Sequence, residues 1–100
     1  MNILEFRNVR IDFDKFIATV GEQNIKLTNL EFKLMKVFAD NEGKVLPREE
    51  LFEKVWEMKD YENLRTVDNF VLRLRKYFEA DPSIPRHFHS IRGVGYKFMK

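Results

Sequence analysis

One hundred residues and 12.1 kDa suit a single domain. Hydrophobic residues at 44%, charged residues at 34% and ten Phe exclude a disordered chain, and no apolar run approaches the ~18–20 residues of a membrane span. The absence of Cys excludes disulfides, thiolate zinc sites and Cys nucleophiles and fits a reducing compartment; Met1 to Arg7 does not read as a signal peptide. The net charge of +2 is unevenly placed: residues 1–63 hold 10 Lys+Arg against 13 Asp+Glu, residues 64–100 hold 8 against 3. Either one face is built for a polyanion, or the imbalance is a chance feature of a solvated surface.

Residues 3–27 read as short antiparallel strands. Val9, Ile11 and Phe13 alternate with Arg10, Asp12 and Asp14, and Phe16 to Val20 and Ile25 to Leu27 follow around a turn at Gly21-Glu22. Thr28-Asn29-Leu30-Glu31 is a capping box opening a helix whose apolar stripe is Leu30, Leu34, Val37 and Phe38, and Gly43 stops it. Pro47 introduces a shorter helix lined by Leu51, Phe52, Val55 and Trp56. Residues 57–63 have no helical period and read as a loop, with Asn63 placed to cap the next element.

Residues 64–79 form the most informative segment. At 100° per residue, Val67, Phe70, Val71, Leu74, Tyr77 and Phe78 fall on one arc. The opposite arc carries Arg65, Asn69, Leu72 and Lys76, with Thr66 and Arg73 on one shoulder and Asp68 and Arg75 on the other. Asp81-Pro82 and Ile84-Pro85 end the helix. Phe88, alternating with His87 and His89, then Tyr96 and Phe98 about Lys97, predict a hairpin whose tip, Arg92-Gly93-Val94-Gly95, is slim enough to approach another surface closely.

Enzyme chemistry finds no support in these residues. Ser90 has no nucleophile elbow, and Gly93-Val94-Gly95 is neither a P-loop nor a dinucleotide fingerprint. His87 and His89 are two of the ligands a metal would need, without an evident third. No catalytic residue, cofactor or metal is therefore expected, and no membrane role.

The order strands, helix, helix, loop, basic amphipathic helix, hairpin describes a helix-turn-helix with a wing. At this point the sequence resembles the winged-helix DNA-binding domain of OmpR/PhoB-type response regulators. The matching stretches are Leu27 to Phe32, Gly43 to Leu51, Val55-Trp56, Arg65 to Asp68, Leu74 to Lys76 and Ile91 to Phe98. The expected fold is α+β: an N-terminal antiparallel sheet (1–27), a three-helix core (28–79) with its recognition helix at 64–79, and a wing hairpin (86–99).

The resemblance implies sequence-specific binding of double-stranded DNA by the effector domain of a bacterial, cytoplasmic two-component regulator. Arg65 and Thr66 match positions at the DNA backbone, Asn69 and Arg73 groove-facing positions, Arg75 a basic position nearby, and Arg92 a wing contact at the minor groove. Lys76 on the basic arc and Tyr96 of the wing motif are counted with these as DNA contacts, as is Trp56, which with the loop to residue 63 matches a segment that in some members touches RNA polymerase and skirts the backbone. A receiver domain outside this chain and head-to-tail dimers on direct repeats belong to the same expectation.

Asn and Arg have the chemistry to read adenine and guanine bidentately, at roughly 1–3 kcal/mol of discrimination each. Leu72 either meets a thymine methyl or is an ordinary exposed Leu. Asp68, an anion on this helix, is expected to orient Arg92 or Arg75. Phe70 and Leu72 replace polar or basic residues frequent in the family, which predicts weaker non-specific attraction, and Pro47 stands where a Ser cap is common. The alternatives are a winged helix used for protein or RNA contact, or a stand-alone regulator without a phosphoacceptor domain.

Overall fold

A computed structural model describes residues 2–58 and 61–100. Four short strands, β1 (Ile3–Phe6), β2 (Val9–Asp12), β3 (Ile17–Val20) and β4 (Gln23–Ile25), form an antiparallel sheet in sequential order. Leu4, Phe6, Val9, Ile11 and Ala18 point into the core, while Glu5 and Arg10, opposite one another, form an ion pair on the outer face. Asp12 breaks the expected polar alternation. It is buried, and its Oδ1 accepts the N–H groups of Asp14 and Lys15, which turns the chain between β2 and β3.

Helix α1 (Asn29–Asp40) starts on the capping box read from the sequence: the Glu31 N–H donates to Thr28 Oγ1 at 3.2 Å and the Thr28 N–H to Glu31 Oε1 at 2.8 Å. The chain then forms β5 (Val45–Pro47), helix α2 (Arg48–Trp56), a 3₁₀ turn at Tyr61–Asn63, helix α3 (Arg65–Phe78), and strands β6 (Phe88–Ile91) and β7 (Gly95–Phe98). Leu64, not Asn63, occupies the N-cap of α3, without a side-chain cap.

The strand β5 corrects the sequence reading, which had no element between Gly43 and α2. It pairs with β7, so the wing is a three-stranded sheet in the order β5-β7-β6 and not a free hairpin. Gly95 is accordingly an inward position: a Cβ there would lie 2.1 Å from the Leu46 carbonyl oxygen. Gly93 alone supplies the tip, at φ +80°.

One core joins sheet, helices and wing. Phe32, Leu34, Met35 and Phe38 of α1 meet Leu51, Phe52 and Val55 of α2 and Val67, Val71, Leu74 and Phe78 of α3. Phe6, Phe38, Phe78, Phe88 and Phe98 interlock mostly edge-on or tilted, with centroids 5.2–6.5 Å apart, and this cluster fixes the wing against the helices. Among the described residues no helix is long and apolar enough to cross a membrane.

Candidate nucleic-acid interface

Helix α3 is sharply two-faced. Val67, Val71, Leu74 and Phe78 are fully buried, whereas Arg65, Asn69, Leu72, Arg73 and Lys76 are exposed and Thr66 is half-buried. Leu72 is 52% exposed, so an apolar side chain stands half in solvent among the cations. Phe70 and Tyr77 lie at the margin, half-buried. Beside α3 the wing presents Arg92, Gly93 and Val94, all exposed, with the Val94 N–H closing the turn onto the Ile91 carbonyl at 2.9 Å. Between wing, α3 and the start of α2 lies an open cleft of about 430 Å³ lined by Arg48, Asp68, Ser90, Arg92, Val94 and Tyr96 among others.

The expectation for Asp68 is corrected. Its Oδ2 accepts from Arg48 Nη1 at 2.8 Å and its Oδ1 from the Tyr96 hydroxyl at 2.6 Å, so it serves Arg48 and Tyr96 and not Arg92 or Arg75. The shoulder of α3 that carries Asp68 faces the first turn of α2 and β7, a proximity that helical periodicity alone does not reveal. The anion on this helix is thereby matched by a cation and a phenol. Tyr96 is pushed up to about 12, first by burial, then by its hydrogen bond to Asp68 and by that residue's charge; the charges of Arg75 and Arg48 oppose the rise.

Arg75 and Tyr96, both counted as DNA contacts from the sequence, face the protein. The Arg75 Nε and Nη2 donate to the Phe88 carbonyl at 3.0 and 2.8 Å, and Nη2 also donates to Ser90 Oγ at 2.8 Å. Its guanidinium carbon lies 5.8 Å from the Tyr96 ring centroid. These two side chains bolt the wing to α3. Trp56, half-buried, stacks on Phe52 with centroids 5.2 Å apart. Of the 56–63 segment assigned to polymerase contact, Lys59 and Asp60 lie outside the described residues, as does the side chain of Tyr61.

Sequence reasoning missed Glu79 and Arg7. Glu79 follows the last residue of α3, where the helix dipole disfavours an anion. Its buried carboxylate accepts three consecutive backbone N–H groups, from Arg86 at 2.9 Å, His87 at 2.9 Å and Phe88 at 2.8 Å. Burial pushes this carboxyl up, but the hydrogen bonds from Phe88, Arg86 and His87, with the charge of His87, outweigh it and hold the group below its ordinary value. A carboxylate at the unfavourable end of a helix was the available signal. Arg7, in the β1–β2 turn, donates to the Phe78 carbonyl at 2.6 Å and so caps the other side of the same helix end.

The family model described as "Transcriptional regulatory protein, C terminal" matches residues 21–98. The chain belongs to this family. Among curated members, this C-terminal regulator domain is 35% identical over 97 residues to the KDP operon transcriptional regulatory protein KdpE of Escherichia coli, covering 97% of the chain and 43% of that protein. It is 38% identical over 95 residues to the sensory transduction protein RegX3 of Mycobacterium tuberculosis, covering 95% and 42%. The chain thus spans less than half the length of these relatives. Among solved structures it resembles the Thermotoga maritima response regulator DrrB, an OmpR/PhoB homolog, with a TM-score of 0.87 at 36% identity, over 99% of the chain and 45% of that protein. The DNA-binding domain of the response regulator AdeR, solved in complex with an intercistronic region, superposes with a TM-score of 0.75 at 32% identity, over 96% of the chain and 97% of that domain. The fold is that of the winged helix-turn-helix class, α+β with three helices and antiparallel sheets.

Proposed function

We propose that this chain is the sequence-specific, double-stranded-DNA-binding effector domain of a two-component response regulator, acting on transcription in the bacterial cytoplasm. The observation that carries the reading is the outer face of α3. Arg65, Asn69, Leu72, Arg73 and Lys76 stand exposed on one side of a helix whose other side is fully buried, with Arg92 of the wing alongside. A helix of this kind fits the major groove, and a wing arginine suits the narrower one. The structure of AdeR with its DNA supports the reading by likeness.

In this reading Arg65, Thr66, Lys76 and Arg92 neutralise phosphates or line the minor groove, and Asn69, Arg73 and Leu72 face base edges. Arg75, Tyr96, Asp68 and Trp56 support those contacts from behind. The domain is monomeric in free solution and pairs head to tail on direct repeats. A receiver domain lies elsewhere in the full-length protein, and the segment 56–63 meets RNA polymerase.

The test is selection of bound sequences from random duplexes, followed by salt titrations of the wild type, Arg65→Ala and Arg73→Ala. Each phosphate contact contributes about −0.9 to the slope of log affinity against log salt. Arg65→Ala is expected to flatten the slope by about that amount without altering the enriched motif. Arg73→Ala is expected to relax one base position, and single strands or RNA to compete poorly. Duplex binding that is absent or insensitive to salt would refute the proposal.

A further inference from the structure

The three arginines of α3 differ in what engages their N–H donors. Arg65 is exposed, Arg75 has its guanidinium edge engaged by the Phe88 carbonyl and Ser90, and Arg73 lies over an aromatic ring. The Arg73 guanidinium carbon is 4.6 Å from the centroid of Phe70, three residues earlier on the same helix. Phe70 is itself braced. Its ring meets Trp56 edge-on at 4.9 Å with an interplanar angle of 80°. Trp56 lies nearly parallel to Phe52, at 9°, and Phe52 is buried in the core. An unbroken aromatic path therefore runs from the core, across the α2–α3 contact, to the guanidinium on the outer face.

We propose that Phe70 is a positioning residue for Arg73: the braced ring holds the guanidinium by its face and leaves its N–H edges free to read a base. The inference rests on the DNA-binding reading of α3 and names what sets specificity there. A free arginine side chain samples many rotamers and must be ordered on binding. A planar cation resting on a ring face has part of that ordering done beforehand. Because the attraction acts through the face, the in-plane donors that suit guanine O6 and N7 remain available. Arg75 also lies near a ring, that of Tyr96 at 5.8 Å, but its donors are spent on the Phe88 carbonyl and Ser90. Phe70 thus substitutes for a direct polar contact at its own position by improving the contact made from Arg73.

The experiment compares the wild type with Phe70→Leu, Phe70→Tyr, Arg73→Ala and the double variant Phe70→Leu/Arg73→Ala. The duplex is the one enriched by the wild type, with and without a change at the base that Arg73→Ala relaxes. Phe70→Leu is expected to lower discrimination at that base about two- to five-fold, the range of an exposed cation–π contact. It should leave the salt slope unchanged, because no phosphate contact is lost. Phe70→Tyr should restore wild-type discrimination, and Phe70→Leu should add nothing once Arg73 is Ala. In the free domain, the Arg73 Nε–H resonance should carry a ring-current shift that Phe70→Leu removes and Phe70→Tyr keeps.

Equal discrimination by Phe70→Leu and wild type, or the same loss in the Arg73→Ala background, overturns the inference. Failure of Phe70→Tyr to rescue a folded protein also overturns it. Loss of salt-dependent duplex binding by the wild type itself refutes the parent reading instead, and the ring-current measurement still decides whether Phe70 holds Arg73.

Discussion

Replacing Glu79 by Ala is expected to unseat the wing from the end of α3. Three backbone N–H groups converge on this one carboxylate, from Arg86, His87 and Phe88. Hydrogen bonds to a charged group contribute about 1.5–3 kcal/mol each, and an orphaned buried donor retains most of that cost. Phe88 is fully buried, so its N–H has no access to water after truncation; His87 is half-buried, and Arg86 is exposed and rehydrates. Counting Phe88 in full and the other two in part gives a loss of about 3–5 kcal/mol, a large share of the ~5–15 kcal/mol that holds a domain together.

At about 4–8 °C per kcal/mol for a domain of this size, the melting temperature should fall by at least ~12 °C. Urea unfolding at pH 7 measures the loss directly. Glu79→Gln, which keeps one acceptor oxygen, should lose less. The depressed carboxyl also has a pH signature. Its contribution is complete above the ordinary value of 4.5 and disappears as pH falls through the lower folded value, so Glu79→Ala should flatten the acid limb of the wild-type stability curve. A loss below about 1 kcal/mol with an unchanged acid limb would refute the reasoning, since both follow from the same three bonds.

Gly95→Ala should separate β5 from β7. A methyl group 2.1 Å from the Leu46 carbonyl oxygen and 2.9 Å from Pro47 Cα cannot be accommodated by rotating a side chain, so calorimetry should register one of the larger losses available to a single substitution, about 4 kcal/mol or more. Asp68→Ala removes both the hydrogen bond and the charge by which this residue raises Tyr96, so absorbance titration should find that phenol below its value of about 12. Because Tyr96 is raised in the folded state, its share of stability is complete below pH 10 and is lost as pH rises toward 12, so the alkaline limb of the variant should be shallower and end at a lower pH.

What could be read in the sequence was local. The capping box of α1 needs only Thr28 and Glu31, three positions apart, and the two faces of α3 follow from one period along one segment. Phe88, Tyr96 and Phe98 announced the wing by alternation, and all three are buried. The strand β5 carries no period of its own: Val45, Leu46 and Pro47 become a strand only by facing Lys97, Tyr96 and Gly95. The same holds for the site. Which face Arg73 occupies is written in its position, whereas its rest on Phe70 depends on where α2 places Trp56. Arg75 belongs by spacing to the basic arc, and only the closeness of β6 turns it inward. The partner of Asp68 is a matter of how α2 and the wing meet, to which helical arithmetic is blind.

The middle strand of the wing is made after both of its flanks, which sets a timetable. While the polypeptide emerges from the ribosome, residues 45–47 and later 88–91 are present without the segment, 95–98, that both must pair with. The four-stranded sheet and α1 are composed of near neighbours and can settle early, but the arginine at the wing tip acquires its place relative to α3 only when that final stretch is laid between its flanks. A chain released short of residue 98 therefore leaves β5 and β6 without the strand that joins them, and Arg92 without its fixed place beside α3.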